Sequence, residues 1–270
     1  MMKSKIVIGI VGSFFFLLLS SFWRSDDIFF LKRAFQFKAN FLVNDHLGNY
    51  YLVGKHKIQK VVNGDSLVQF HQRTNWGDIS SVDASNPMKI VVFYADYRKV
   101  EILDNWMTVL REVNLDDYVY MQANAICGSS TNGFWLYDEN SALLKRIDDS
   151  GNLVRQSIST RQSIGKVLQV KYLQERNGKV YLSDPQVGIV VFDMFGTYIK
   201  TLPILGTNQF FVYLDKIYFF TDGKIMSYDT ESLQFSTIGV DNQVIENAIL
   251  VRNNYITTRA DSVFVYGYKQ

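Results

Sequence analysis

Asn44, Asp83, Asn86, Asn124, Glu246 and Arg252, with Asp45, Glu175 and Asp215, stand near the ends of short apolar runs that recur along a 270-residue chain. All but Arg252 offer side-chain oxygens. A ring of such oxygens can hold Ca2+, a hard cation that takes several oxygen ligands. The same residue types also cap strands and satisfy loop backbone, so a structural role competes at every position. Other chemistry has fewer candidates. His46, His56 and His71 lie in no H-E-x-x-H pattern and beside no cysteine pair, which leaves zinc without a ligand set. No G-x-S-x-G elbow and no phosphate-cradling glycine loop is present. Cys127 is the sole cysteine, which excludes an internal disulfide, and its apolar setting in "ANAICGSS" predicts a buried, inert thiol.

The runs that must position these residues repeat. "NGKVYLSDPQVGIVVFDMFGTYIKTLPI" (177–204) holds three β-branched and aromatic runs, each closed by Asp, Gly or Pro. Three such runs in so short a stretch form an antiparallel meander, because parallel neighbours need long crossovers. Aligning Tyr51, Val92, Trp135, Tyr181, Tyr218 and Ile256 gives spacings of 41, 43, 46, 37 and 38 residues, a propeller-blade period. Third strands recur as "KIQKVVNGD", "KVEILDN", "LLKRIDDSG", "GIVVFDMFG" and "KIMSYDT". Their closing Asp or Asn suits the turn into a fourth strand, since the side chain accepts from backbone N–H groups. The last repeat is one strand short, and "IFFLKRAFQF" (28–37) has no repeat of its own. The expectation is an all-β, six-bladed propeller of four-stranded antiparallel blades, its ring closed by this N-terminal strand.

In such a ring the oxygen-bearing residues above lie where first strands and loops converge on a central channel. Blade two departs from the repeat by packing Asp96, Tyr97, Arg98 and Trp106 into its turns. Aromatic and Arg side chains on loops favour protein docking, so these four are the candidate partner surface. The competing reading is an exposed hairpin with Trp106 covering the blade edge.

Two lysines in "MMKSK" precede an uninterrupted apolar run, 6–23. This is a leader with charged and apolar regions, and it predicts export. The run is either a cleaved signal peptide or a retained anchor helix; membrane contact is expected only through the latter. The division is 1–25 for this segment and 26–270 for the propeller. The whole chain carries +2 and is neutral without Lys3 and Lys5. A neutral domain offers no basic face for nucleic acid.

The unit "NGKVYLSDPQVGIVVFDMFGTYIKTL" resembles an NHL-type propeller blade: a Gly-led second strand, an Asp turn, then an apolar third strand ending F-D-x-x-G. "NGFWLYDENSALLKRIDDSGNLV" is similar at the pattern level. The resemblance implies a six-bladed propeller used for interaction, with relatives that include calcium-dependent lactonases and a lyase. The family's N-R-I stretch is "VGI" here, so no site carries over. Exported propellers of this kind also resemble those of Bacteroidota envelopes. The favoured expectation is a non-catalytic binding or scaffold module of the cell envelope, periplasmic or envelope-associated, with a protein partner and no cofactor. The alternative is a Ca2+-dependent hydrolase, lactonase or lyase with the metal in the channel.

Overall fold

The structure, a computed structural model, describes residues 29–62, 68–116, 121–240, 245–252 and 254–268; the leader run lies outside the described residues. Strand β1 (Phe29–Gln36) comes first and is used last. Blade one follows as β2 (Phe41–Asn44), β3 (Tyr50–Val53), β4 (Lys57–Val61) and β5 (Val68–Gln72). Blade two is β6 (Ser81–Asp83), β7 (Ile90–Tyr94), β8 (Lys99–Leu103) and β9 (Val109–Asn114). Blade three is β10 (Ile126–Gly128), β11 (Phe134–Asp138), β12 (Leu143–Ile147) and β13 (Leu153–Gln156). A one-turn helix, α1 (Thr160–Ser163), leads to blade four: β14 (Tyr172–Arg176), β15 (Lys179–Asp184), β16 (Gly188–Asp193) and β17 (Tyr198–Leu202). Blade five is β18 (Phe210–Tyr213), β19 (Lys216–Thr221), β20 (Lys224–Asp229) and β21 (Phe235–Val240). Blade six is β22 (Asn247–Val251), β23 (Asn254–Arg259) and β24 (Ser262–Tyr268).

Each blade is an antiparallel four-stranded sheet, and β1 is the outer strand of the sixth, with Phe29 opposite Tyr268 and Gln36 opposite Ser262. The first and last described strands therefore share one sheet. Turn chemistry holds the blades in register. Asp104, Asp148, Asp193 and Asp229 end the third strands of blades two to five. Each turns its Oδ1 onto two backbone N–H groups of the following turn, at 2.8–3.0 Å.

The core lies between blades rather than within them, because a single sheet cannot bury its own faces. Buried apolar clusters join blades one and two, two and three, three and four, four and five, and six and one. Among the described residues no such cluster joins blades five and six. That junction is the exception on which the site rests.

Candidate functional site

Inner strands all run the same way along the channel, so residues before and after them lie at opposite ends. We call the end where the inner strands finish the upper face. Asn44, Asp83, Asn86 and Arg252 lie there, whereas Asn124 and Glu246 precede β10 and β22 and lie at the lower face. The structure thus divides these six channel candidates. Asn124 donates to Glu139 Oε1 at 2.7 Å, and the Glu246 backbone N–H donates to the Thr258 carbonyl at 3.0 Å. Asn86 Oδ1 accepts from Met88 N–H at 3.0 Å. The blade-two set divides as well. Asp96, Tyr97 and Arg98 form the β7–β8 turn and Trp106 the β8–β9 turn, at opposite ends of β8.

The upper-channel carboxylates are committed to protein donors. Asp83 accepts from Ser85 N–H at 2.8 Å and, across the blade junction, from Gly128 N–H at 2.7 Å. Glu175 accepts from Ser130 N–H at 3.0 Å, from the Ser130 hydroxyl, and from Trp135 Nε1 at 2.6 Å. Burial raises the Asp83 carboxyl above its ordinary value, and the charge of Glu175 adds to the rise. Tyr172 packs edge-on against Phe210 with centroids 5.2 Å apart, and also touches the blade one–two core. Gln209 Nε2 donates to the Leu42 carbonyl, linking blade five to blade one. Among the described residues no three His, Cys, Asp or Glu side chains gather to hold a metal. Cys127 is fully buried beside this cluster; burial first, then Asp83 and Glu175, pushes its thiol up. An S-x-x-K spacing is present at Ser163 and Lys166, where Ser163 Oγ donates to the Ser159 carbonyl of its own helical turn.

A polar lock joining blades one and two also escaped the sequence reading. Glu101 on β8 is fully buried and accepts from Tyr94 Oη at 2.9 Å and Arg73 Nε at 2.7 Å, and it pairs with His71 Nε2 at 2.7 Å. Arg73 also reaches Glu112 and lies over the Trp76 ring at 4.2 Å. Burial pushes the Glu101 carboxyl up, but the bonds from His71, Arg73 and Tyr94 outweigh it and hold the group below the ordinary glutamate value. The available signal was a lone Glu inside the apolar run "KVEIL".

The blade five–six junction is open. A cleft of about 700 Å³ at its upper end is lined by Asn44, Asp45, Phe211, Tyr213, Lys216, Tyr218, Ser227 and Arg252 among others. Strand pairing makes Phe211, Tyr218, Ser227 and Ser236 one cross-strand row. Blade four carries Val191 opposite Tyr181, where blade five carries Ser227 opposite Tyr218. Ser227 brings a hydroxyl into this row, but Lys60 and Arg146 hold the matching positions of blades one and three, whose junctions are sealed, so polarity there does not by itself open a junction. On the facing blade, Thr257 is fully buried and its hydroxyl makes no hydrogen bond. Arg252 lies flat over Gly48, whose φ of +87° leaves no room for a Cβ: one built there would sit 2.3 Å from Arg252 Nε. The cleft's one carboxylate, Asp45, is spent on Leu47 N–H, Asn49 N–H, Asn49 Nδ2 and Tyr51 Oη, all within 2.7–2.9 Å. Lys216 and Arg252 therefore set a positive charge, and Phe211 and Tyr213, stacked with centroids 6.4 Å apart, supply a flat apolar wall. Of these residues the sequence reading singled out Asn44, Asp45 and Arg252.

No family model matches the chain, and no curated protein matches it. Solved structures do. The WD40 domain of Pan2 from Neurospora crassa superposes with a TM-score of 0.63 at 9% identity, covering 90% of this chain and 96% of that one. Virginiamycin B lyase from Staphylococcus aureus gives 0.62 at 11% identity, covering 89% and 100%. BamB from Moraxella catarrhalis gives 0.55 at 10% identity, covering 89% and 100%. At these identities the likeness is one of fold, and the fold of this chain is an all-β, six-bladed propeller of four-stranded antiparallel blades.

Proposed function

We propose that this chain is an exported, non-catalytic binding propeller of the cell envelope that takes a segment of a protein partner in the cleft between blades five and six. The observation that carries this reading is the blade five–six junction, which among the described residues has no buried apolar cluster and opens into a cleft of about 700 Å³. Its lining joins Tyr213, Tyr218 and Arg252, residue types that dominate protein-binding energetics, with the positive charge of Lys216. The leader run supports export, the NHL-type pattern of blade four agrees with an interaction role, and N-terminal β1 closes the ring as blade six's outer strand. Nothing in the charge balance favours nucleic acid.

Peptides selected by display against the full chain test this reading. Arg252→Ala with Lys216→Ala should weaken their binding about tenfold or more, while Tyr97→Ala on the lower face should leave it unchanged. Binders indifferent to the cleft pair would move the site elsewhere. Ca2+ against EDTA should leave the thermal midpoint unchanged. A rise of several degrees would instead support the metal-dependent hydrolase, lactonase or lyase.

A further inference from the structure

The upper face exposes a set of large apolar side chains at its loop tips. Leu47 is 44% exposed, Met88 64%, Trp106 69%, Phe195 59%, Leu214 66% and Leu233 60%. Two of them hold an unfavourable backbone: Leu214 has φ +52° and Leu233 φ +60°, the left-handed region that Gly or Asn occupies at lower cost. An exposed leucine at such a position gains nothing from the fold, and strain retained at a surface points to a use for that surface. The lower face also shows Tyr97, Ile158, Val167 and Leu205, none of which has a positive φ.

The direction of β1 says what the upper face meets. This strand pairs antiparallel with β24 and so takes the place of a fourth strand, which starts at the upper face and ends at the lower. The chain therefore reaches the propeller at the upper face, where Phe30 and Leu31 are 46% and 55% exposed. Only six residue steps separate Phe29 from Trp23, the last residue of the apolar run. Extended chain covers that in at most about 20 Å. Where the run stays in a membrane, the upper face cannot stand farther off than this. Trp and Leu at loop tips suit that interface, since an indole sits at headgroup depth.

We propose that the upper face is a membrane-docking face: Leu47, Met88, Trp106, Phe195, Leu214 and Leu233 rest on the bilayer that the N-terminal run enters. The proposal rests on that run being retained as an anchor, not on the cleft reading. It orients the cleft too, because the cleft opens at the same end, and a segment bound there is membrane-proximal.

Single cysteines placed in the full chain test the docking. Cys127 is fully buried, so a thiol-reactive fluorophore labels only the introduced site. Leu47→Cys and Leu214→Cys report the upper face, Ile158→Cys and Leu205→Cys the lower. In phosphatidylcholine vesicles carrying a doxyl-labelled lipid, the upper labels should be quenched several-fold more than the lower ones. Equal quenching of both pairs, or stronger quenching of the lower pair, in vesicle-bound chain overturns the docking face and leaves the anchor standing. Failure of the full chain to float with the vesicles overturns the anchor, and the docking with it.

Discussion

Glu101→Ala should lower the thermal midpoint of the propeller by about 10 °C, measured by circular dichroism at neutral pH. The carboxylate is fully buried and serves three donors at once, Tyr94 from its own blade and His71 and Arg73 from blade one. Removing one member of such a set leaves the others desolvated without a partner, which costs about 3–5 kcal/mol. In a domain of this size each kcal/mol moves the midpoint by about 2–4 °C. Glu101→Gln keeps the volume but loses the charge facing Arg73, and should fall between wild type and Glu101→Ala. The pH dependence separates charge from shape. The folded-state carboxyl sits below the ordinary glutamate value, so its ionised form adds stability above the unfolded glutamate range. That contribution is lost as pH falls through the lower, folded value. Wild type should therefore lose more stability than Glu101→Gln as pH falls below the unfolded glutamate value of about 4.3. Parallel losses in the two proteins would show that Glu101 acts through packing alone.

The second large effect comes from a pair of glycines that look alike in the sequence. Asn132–Gly133 and Asn177–Gly178 each lead a second strand, and both glycines have a positive φ, +74° and +69°. Gly178→Ala should cost only about 1–2 kcal/mol, the backbone penalty of the left-handed region, because nothing lies within 4 Å of the added carbon. Gly133→Ala should cost on the order of 3 kcal/mol or more, since the new carbon would stand 1.8 Å from the Ile147 carbonyl oxygen. That oxygen is backbone and cannot swing aside. Relief requires the β10–β11 loop to part from the end of β12. Urea unfolding of the two variants checks the contrast, and equal losses would show that the loop yields freely.

The strands were legible because what makes them is local. In "NGKVYLSDPQVGIVVFDMFG" the β-branched runs, the Asp and the Gly act within a few residues of one another, and six copies of that pattern leave few alternatives to a propeller. The strand missing from the last repeat and the spare run before Phe37 pointed to the shared sixth sheet for the same reason.

The site was less legible, because it depends on which residues meet across a junction. Asn44 and Asn124 are the same residue type at equivalent inner strands, yet one ends its strand and the other precedes it, so they lie at opposite ends of the channel. For Asp83 and Glu175 the sequence left a metal role and a structural role open, and Gly128, Ser130 and Trp135, 40–45 residues away along the chain, use these oxygens up. The cleft depends on blade six leaving the row Phe211, Tyr218, Ser227 and Ser236 of blade five uncovered, which no local pattern in either blade announces. By itself, then, the sequence determined the strand pattern, the blade count and the turn chemistry, all products of short-range hydrogen bonding and side-chain alternation. The tertiary structure alone decided which polar groups are spent and which junction stays open, because burial and partnership are properties of surfaces that distant segments bring together.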